Sequence, residues 1–218
     1  MTWADRIFTF LTVLFSTLVV VGNIIYQKFV IINIFDFHNF ELSVGGILYP
    51  LTFLISDLIT EFYGKEKARI CVRFAIIMNI IVALILNMMD ALPATSWSKI
   101  DVPTFHKVFG FYNVAFLGSI LACFISQMID VSLYAWIRKI TSNKYLWLRS
   151  NGSTAISLFI DTCVVIIFMS IFGILPKEQI GSLILGSYSF KLFFTICSTP
   201  LLYMCVSIVK RLINEKML

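Results

Sequence analysis

A chain of 218 residues that is 59% apolar and only 13% charged, with a mean hydropathy of +0.92, is not a soluble domain, where about 25% of residues are charged. Seventeen lysines and arginines against 12 acids leave a net charge of +5. That basic excess is read against a membrane before any nucleic acid is invoked.

Taken in chain order, six apolar runs fall at about 8–30, 45–63, 70–90, 112–137, 153–175 and 183–209. Each is close to the ~20 residues that cross a ~30 Å hydrocarbon layer. The first lacks a small-residue cleavage signature and is read as a retained helix. The runs are continuous rather than alternating, which argues against a β-barrel. The connection at about 91–111, with Pro93, Trp97 and Pro103, is read as an amphipathic surface segment. Pro200 predicts a kink in the sixth run. The expectation is an all-α membrane protein: one domain over 1–218, a six-helix bundle with both termini inside.

The basic residues set that orientation. Arg6, then Lys65, Lys67, Arg69 and Arg73, then Arg138, Lys139, Lys144 and Arg149, then Lys210, Arg211 and Lys216 all fall at one set of helix ends, 12 of the 17. The opposite connections hold Lys99, Lys107 and Lys177, while Lys28 and Lys191 fall inside spans. The bias alternates through all six runs and explains the net charge without a nucleic-acid partner.

Ionisable groups inside spans mark pathways or ligand sites, because each costs ~2.5–3.5 kcal/mol at the bilayer centre. "YPLTFLISDLITEFYGKEKAR" carries Asp57 and Glu61 four residues apart, on one helix face. At 1.5 Å per residue, Asp57 lies about 10 Å, Asp130 about 12 Å and Asp161 about 18 Å from the basic end, and Lys191 about 28 Å from Lys210. Gln127 shares a face with Asp130. Ser153, Ser157 and Asp161 form one stripe, and Asn23 and Gln27 another. Such stripes need a bundle interior or a wet cavity.

Plainer readings stay open at this point. Glu61 pairs with Lys65 or Arg69 at the interface. Asp57 and Asp161 only hydrogen-bond between helices. The serine stripes are close packing, and Lys28 snorkels to water. Lys191 needs a partner, an inward-facing carboxylate or the substrate; its height toward the other side leaves its reach to Asp130 or Asp161 open. The five cysteines lie in apolar runs, and His38 and His106 lie in connections. Neither a disulfide framework nor a metal cluster is indicated, and no cofactor is expected.

The segments "YPLTFLISDLITEFYGKEKAR", "QMIDVSLYAWIRK" and "LWLRSNGSTAISLFIDT" resemble the queuosine precursor transporter family, also called vitamin-uptake-transporter-like, in order over nearly the whole chain. The resemblance implies six helices arranged like the substrate-binding subunits of energy-coupling-factor vitamin importers. It also implies uptake of 7-deazaguanine precursors across the bacterial inner membrane. The family's polar positions fall on Asp57, Glu61, Gln127, Asp130, Arg149, Ser157 and Asp161; Asn23 and Lys191 join them as candidate substrate residues on the charge and stripe arguments. Leu158 and Ser150 depart from the family pattern, where a glutamine and an asparagine are expected.

A guanine-like edge presents two adjacent donors that one carboxylate can accept. Amides such as Gln127 and Asn23 suit its carbonyl, and aromatic rings suit its face. The expected partners are therefore a purine-like small molecule and the lipid bilayer; a homo-oligomer is left open. Four functional readings compete: a self-sufficient transporter, a binding subunit served by a separate energising complex, a membrane enzyme, and a structural membrane protein with no substrate, against which the buried charges argue. The chain has no phosphate-loop motif. It also lacks an H-E-x-x-H or G-x-S-x-G motif and an intramembrane histidine, so it is read as no enzyme.

Overall fold

The computed structural model describes all residues except 1, 27, 35–37, 111–113, 174–176 and 215–218. Helix α1, Trp3–Ile24, starts at a capping box in which Thr2 and Asp5 satisfy each other's backbone N–H. It stops at Ile24, short of the expected 30. The next apolar run is extended: β1, Phe29–Ile34, pairs antiparallel with β2, His38–Ser43. Three successive β-branched residues, Val30, Ile31 and Ile32, favour that conformation over helix. Lys28 is therefore exposed in the connection before the hairpin and not inside the first span. Gln27, expected to share a stripe with Asn23, lies outside the described residues.

A short helix α2, Val44–Ile47, leads into α3, Tyr49–Tyr63. Pro50 sits in the first turn of α3, where its missing N–H costs nothing. Gly64 joins α3 to α4, Lys65–Asp90, at a φ of +85°, which a side chain would resist. This is the structural reason for the glycine in the "YGK" of the motif.

The connection after α4 carries a surface helix, α5, Val102–Phe109, as the sequence predicts. Asp101 caps it, and the hydrogen bonds from Thr104 hold the Asp101 carboxyl below the usual carboxylate range. Asp90 and His106 tie α5 back to the end of α4.

Helices α6, Val114–Ile140, and α7, Leu146–Ile171, form a long antiparallel hairpin. The expected start at 153 is corrected to Leu146, so Arg149 belongs to the helix and not to a connection. The turn between them uses left-handed backbone at Ser142, Asn143 and Tyr145. Arg138 and Arg149 staple it by donating to Asn143 and to the carbonyls of Asn143 and Lys144.

The expected sixth span at 183–209 is two helices, α8, Ile180–Cys197, and α9, Thr199–Asn214, broken at Ser198. Pro200 cannot donate to the Ile196 carbonyl, which gives the break its cause.

Among the described residues, six segments are long and apolar enough to cross a membrane: Trp3–Ile24, Val44–Tyr63, Lys65–Asp90, Phe116–Ile140, Leu146–Ile171 and Ile180–Cys197. A core of Phe15, Val19, Ile55, Ile59, Val72 and Ala75 packs α1, α3 and α4 together. Outside it the polarity is inverted relative to a soluble protein. Phe10, Leu84, Leu117, Ile171 and Leu185 are exposed, while Asn79, Gln127, Asp130, Ser157 and Asp161 are buried. In lipid, polar side chains must find partners within the bundle, which is why they are gathered on its inner face.

Candidate functional site

The polar side chains of α3, α6 and α7 form a column that runs the length of the bundle. From the hairpin end toward the basic end, α3 contributes Tyr49, Thr52, Asp57 and Glu61. Helix α6 contributes Ser119, Ser126, Gln127, Asp130 and Tyr134. The antiparallel α7 contributes Asp161, Ser157, Thr154, Ser150 and Arg149. Three levels are distinct.

The level nearest the hairpin surrounds a cavity of about 230 Å³. Asn23, Tyr49, Thr52, Ser119, Asp161 and Lys191 give it polar groups, and Leu18, Val165, Met169 and Phe190 give it apolar walls. Asp161 is its focus. Lys191 donates to Asp161 Oδ2 at 2.8 Å, and Tyr49 donates to Oδ1 at 2.8 Å, joined more weakly by Ser126 at 3.4 Å. The Lys191 ammonium also lies 4.8 Å from the centre of the Tyr49 ring, close enough for a cation–π contact. Of the partners left open for Lys191, an inward-facing carboxylate or the substrate, the structure shows the carboxylate of Asp161. Across the cavity Ser119 donates to Asn23 Oδ1 at 2.8 Å, while the Asn23 amide donates to the Val19 carbonyl.

One close approach shapes this level. A Cβ on Gly45 would lie 2.2 Å from the Gly22 carbonyl oxygen, so only glycine allows α2 to sit against α1 there.

In the middle level, Gln127 donates to Thr52 at 3.3 Å, which links it to the cavity wall. Ser150 donates to Asp57, and Thr154 donates to Asp130 at 3.3 Å. Ser157 donates to the Ser153 carbonyl one turn back. Three acceptors here, Asp57 Oδ1, Asp130 Oδ2 and Gln127 Oε1, are buried without a donor.

The level at the basic end is closed. Arg149 grips Glu61 with Nη2 at 2.7 Å and Nε at 3.1 Å, and Tyr134 donates to the same carboxylate at 2.9 Å. Arg138 donates to the Glu61 backbone carbonyl at 2.8 Å. The interfacial partner expected for Glu61, Lys65 or Arg69, is replaced by Arg149. Arg69 instead contacts Glu66 and Ser132. Gly64 ends α3 within one turn of Glu61, and the turn lets α4 carry its basic residues away from that carboxylate.

The candidate residues therefore divide. Asn23, Asp161 and Lys191 share the cavity; Gln127, Ser157, Asp130 and Asp57 lie beneath it; Glu61 lies at the far closure. Sequence reasoning missed Tyr49, Ser119, Tyr134 and Arg138. Tyr49 opens the quoted motif and Ser119 shares a helix face with Gln127 at a spacing of eight, so both carried a weak signal.

Such an arrangement, a polar chamber inside an apolar-faced helical bundle, defines a multi-pass membrane carrier for a small molecule. A family model described as "Putative vitamin uptake transporter" matches residues 43–205, and the chain belongs to that family. It is 30% identical over 177 residues to a Bacillus subtilis (strain 168) protein named "Probable queuosine precursor transporter", covering 79% of this chain and 75% of that relative. A Haemophilus influenzae (strain ATCC 51907 / DSM 11121 / KW20 / Rd) protein of the same name is 25% identical over 166 residues, covering 75% of this chain and 66% of the relative. No solved structure matches. The family read from the three motifs is the family these comparisons return.

Proposed function

We propose that this chain imports a 7-deazaguanine precursor of queuosine across the bacterial inner membrane, with both termini in the cytoplasm and no catalytic step of its own. The single observation that carries the reading is the cavity at Asp161. A buried carboxylate sits there beside a lysine, with an amide opposite and aromatic groups in the wall. A guanine-like edge offers two adjacent donors to one carboxylate. Its carbonyl suits the Lys191 ammonium or the Asn23 amide, and Tyr49 and Phe190 suit its ring face.

In this reading the Asp161–Lys191 pair is the state without cargo. The base takes over Asp161 and leaves Lys191 to the carbonyl, so little buried charge is left unpaired at either stage. Gln127, Ser157, Asp130 and Asp57 form the inward route, and Glu61 with Arg149 closes it on the cytoplasmic side. The relatives' names support the substrate class, and the basic residues clustered at one face support the orientation.

The test is binding of a panel of deazaguanines to the purified chain, together with uptake of labelled base by cells carrying only this chain. Asp161→Asn should abolish saturable binding while the protein still inserts. Unchanged binding in that variant refutes the assignment of the site. Uptake that requires additional subunits refutes self-sufficient transport.

A further inference from the structure

We propose that the middle of the bundle holds a Na⁺ ion, at a site separate from the cavity. Beneath Asp57 lies a hole of about 10 Å³, room for one water-sized body. Its lining is rich in hard oxygen donors: Asp57, the hydroxyls of Ser150, Thr154, Ser198 and Thr199, and the side chain of Asn151. Asp57 is 1% exposed, and its Oδ1 has no donor. The neighbouring Asp130 is fully buried, and its carboxyl meets that of Asp57, so the two acids contact each other and not a basic group.

One carboxyl, Asp57, thus lines a hydroxyl-bearing hole, with Asp130 beside it but outside the lining. Among the described residues no lysine or arginine pairs with either of them. A buried carboxylate without a counter-charge is strongly disfavoured, and a bound cation removes that penalty. One wall of the hole is the junction of α8 and α9, where Ser198 interrupts the helix and Pro200 withholds its N–H. Interrupted helices near the bilayer midplane are where transporters hold coupling ions.

The chemistry points to Na⁺ in particular. One lining carboxylate with neutral hydroxyl and amide oxygens matches a small, hard, singly charged ion. Ca²⁺ asks for six to eight oxygens, with several carboxylates among them. Among the described residues no group of three or more His, Cys, Asp or Glu offers a site for a transition metal.

The site does not depend on which base is carried, so its test needs none. The purified full chain is unfolded thermally in NaCl, KCl, CaCl₂ and choline chloride at equal ionic strength. A ligand that binds only the folded state stabilises it progressively with concentration. Na⁺ should therefore raise the midpoint by several degrees over choline, in a saturable way, and K⁺ should not. Asp57→Asn should remove that Na⁺ increment. Thr199→Val, which keeps the carboxylate, should weaken the apparent Na⁺ affinity about tenfold and keeps the test open if Asp57→Asn does not fold. Equal stabilisation by all four chlorides overturns the proposal. So does an undiminished Na⁺ increment in both variants, or stabilisation that follows pH alone, which would give the pair a proton instead. None of these outcomes bears on deazaguanine binding at Asp161.

Discussion

Removing Arg149 should be the most damaging single change at the closed end of the bundle. The Arg149 side chain is 4% exposed and that of Glu61 9%, so their contact is screened little by salt. Arg149→Met deletes two charge-assisted hydrogen bonds to Glu61, at 2.7 and 3.1 Å, and two more to the turn carbonyls of Asn143 and Lys144. Breaking a buried pair by removing one partner costs about 3–5 kcal/mol. Arg138, at 3.8 Å from the Glu61 carboxylate, and Tyr134 still partner the orphaned acid, which places the expected loss at the lower end, about 3 kcal/mol.

Glu61→Gln should cost less, because Arg149 keeps its turn carbonyls. The decisive chain is the double variant, Glu61→Met with Arg149→Met. Replacing both charges with apolar groups of similar size is close to neutral in other buried pairs, so the double variant should be less destabilised than the sum of its singles. Four chains unfolded by denaturant in mild detergent give the coupling energy. A value of at least about 2 kcal/mol is expected, with little change between low and high salt. A coupling of about 1 kcal/mol or less, falling further with salt, is what a solvated surface pair shows, and it would refute the closed inner end.

Two further outcomes can be checked alongside. Gly45→Ala should destabilise the chain by about 1–3 kcal/mol, as overpacking does, and weaken deazaguanine binding, because α2 cannot retreat from Gly22 without opening the cavity. Gly46→Ala has nothing within 4 Å of its new Cβ and should stay within about 0.5 kcal/mol of the parent; equal melting shifts for the two would show that the α1–α2 approach is not tight. Tags at either terminus should resist protease added to intact cells and become accessible once the membrane is opened. Cleavage of either tag in intact cells rejects the orientation drawn from the lysines and arginines.

The sequence exposed the class of the molecule because lipid allows few solutions. Runs of apolar residues with basic ends must cross, and polar stripes at i+4 must face inward, so Ser153, Ser157 and Asp161 did mark the interior face of α7. What it hid were events decided by tertiary partners. The strand Phe29–Ile34 is as apolar as a helix end; its β-branched run leans toward extended backbone, and pairing with His38–Ser43 fixes it. Arg149 read as a connection residue because charge usually ends a span; Glu61, 88 residues earlier, supplies the partner that lets it sit in a helix.

Lys191 shows most clearly why height along a helix is not position. Counting the rise back from Lys210 assumes one straight rod, and it put Lys191 about 28 Å from the basic end, against about 18 Å for Asp161. The interruption at Ser198 voids that assumption, because residues beyond a break no longer advance along the same axis. A lysine also spans several ångströms itself, so a 10 Å mismatch in Cα height already overstated the gap. The 2.8 Å ion pair requires the two residues to face each other at a common depth. Once α8 is treated as a separate helix, Asp161 and Lys191 become opposite walls of one chamber. The carboxylate singled out in the sequence as a ligand group then has its counter-charge supplied by the helix that Pro200 breaks.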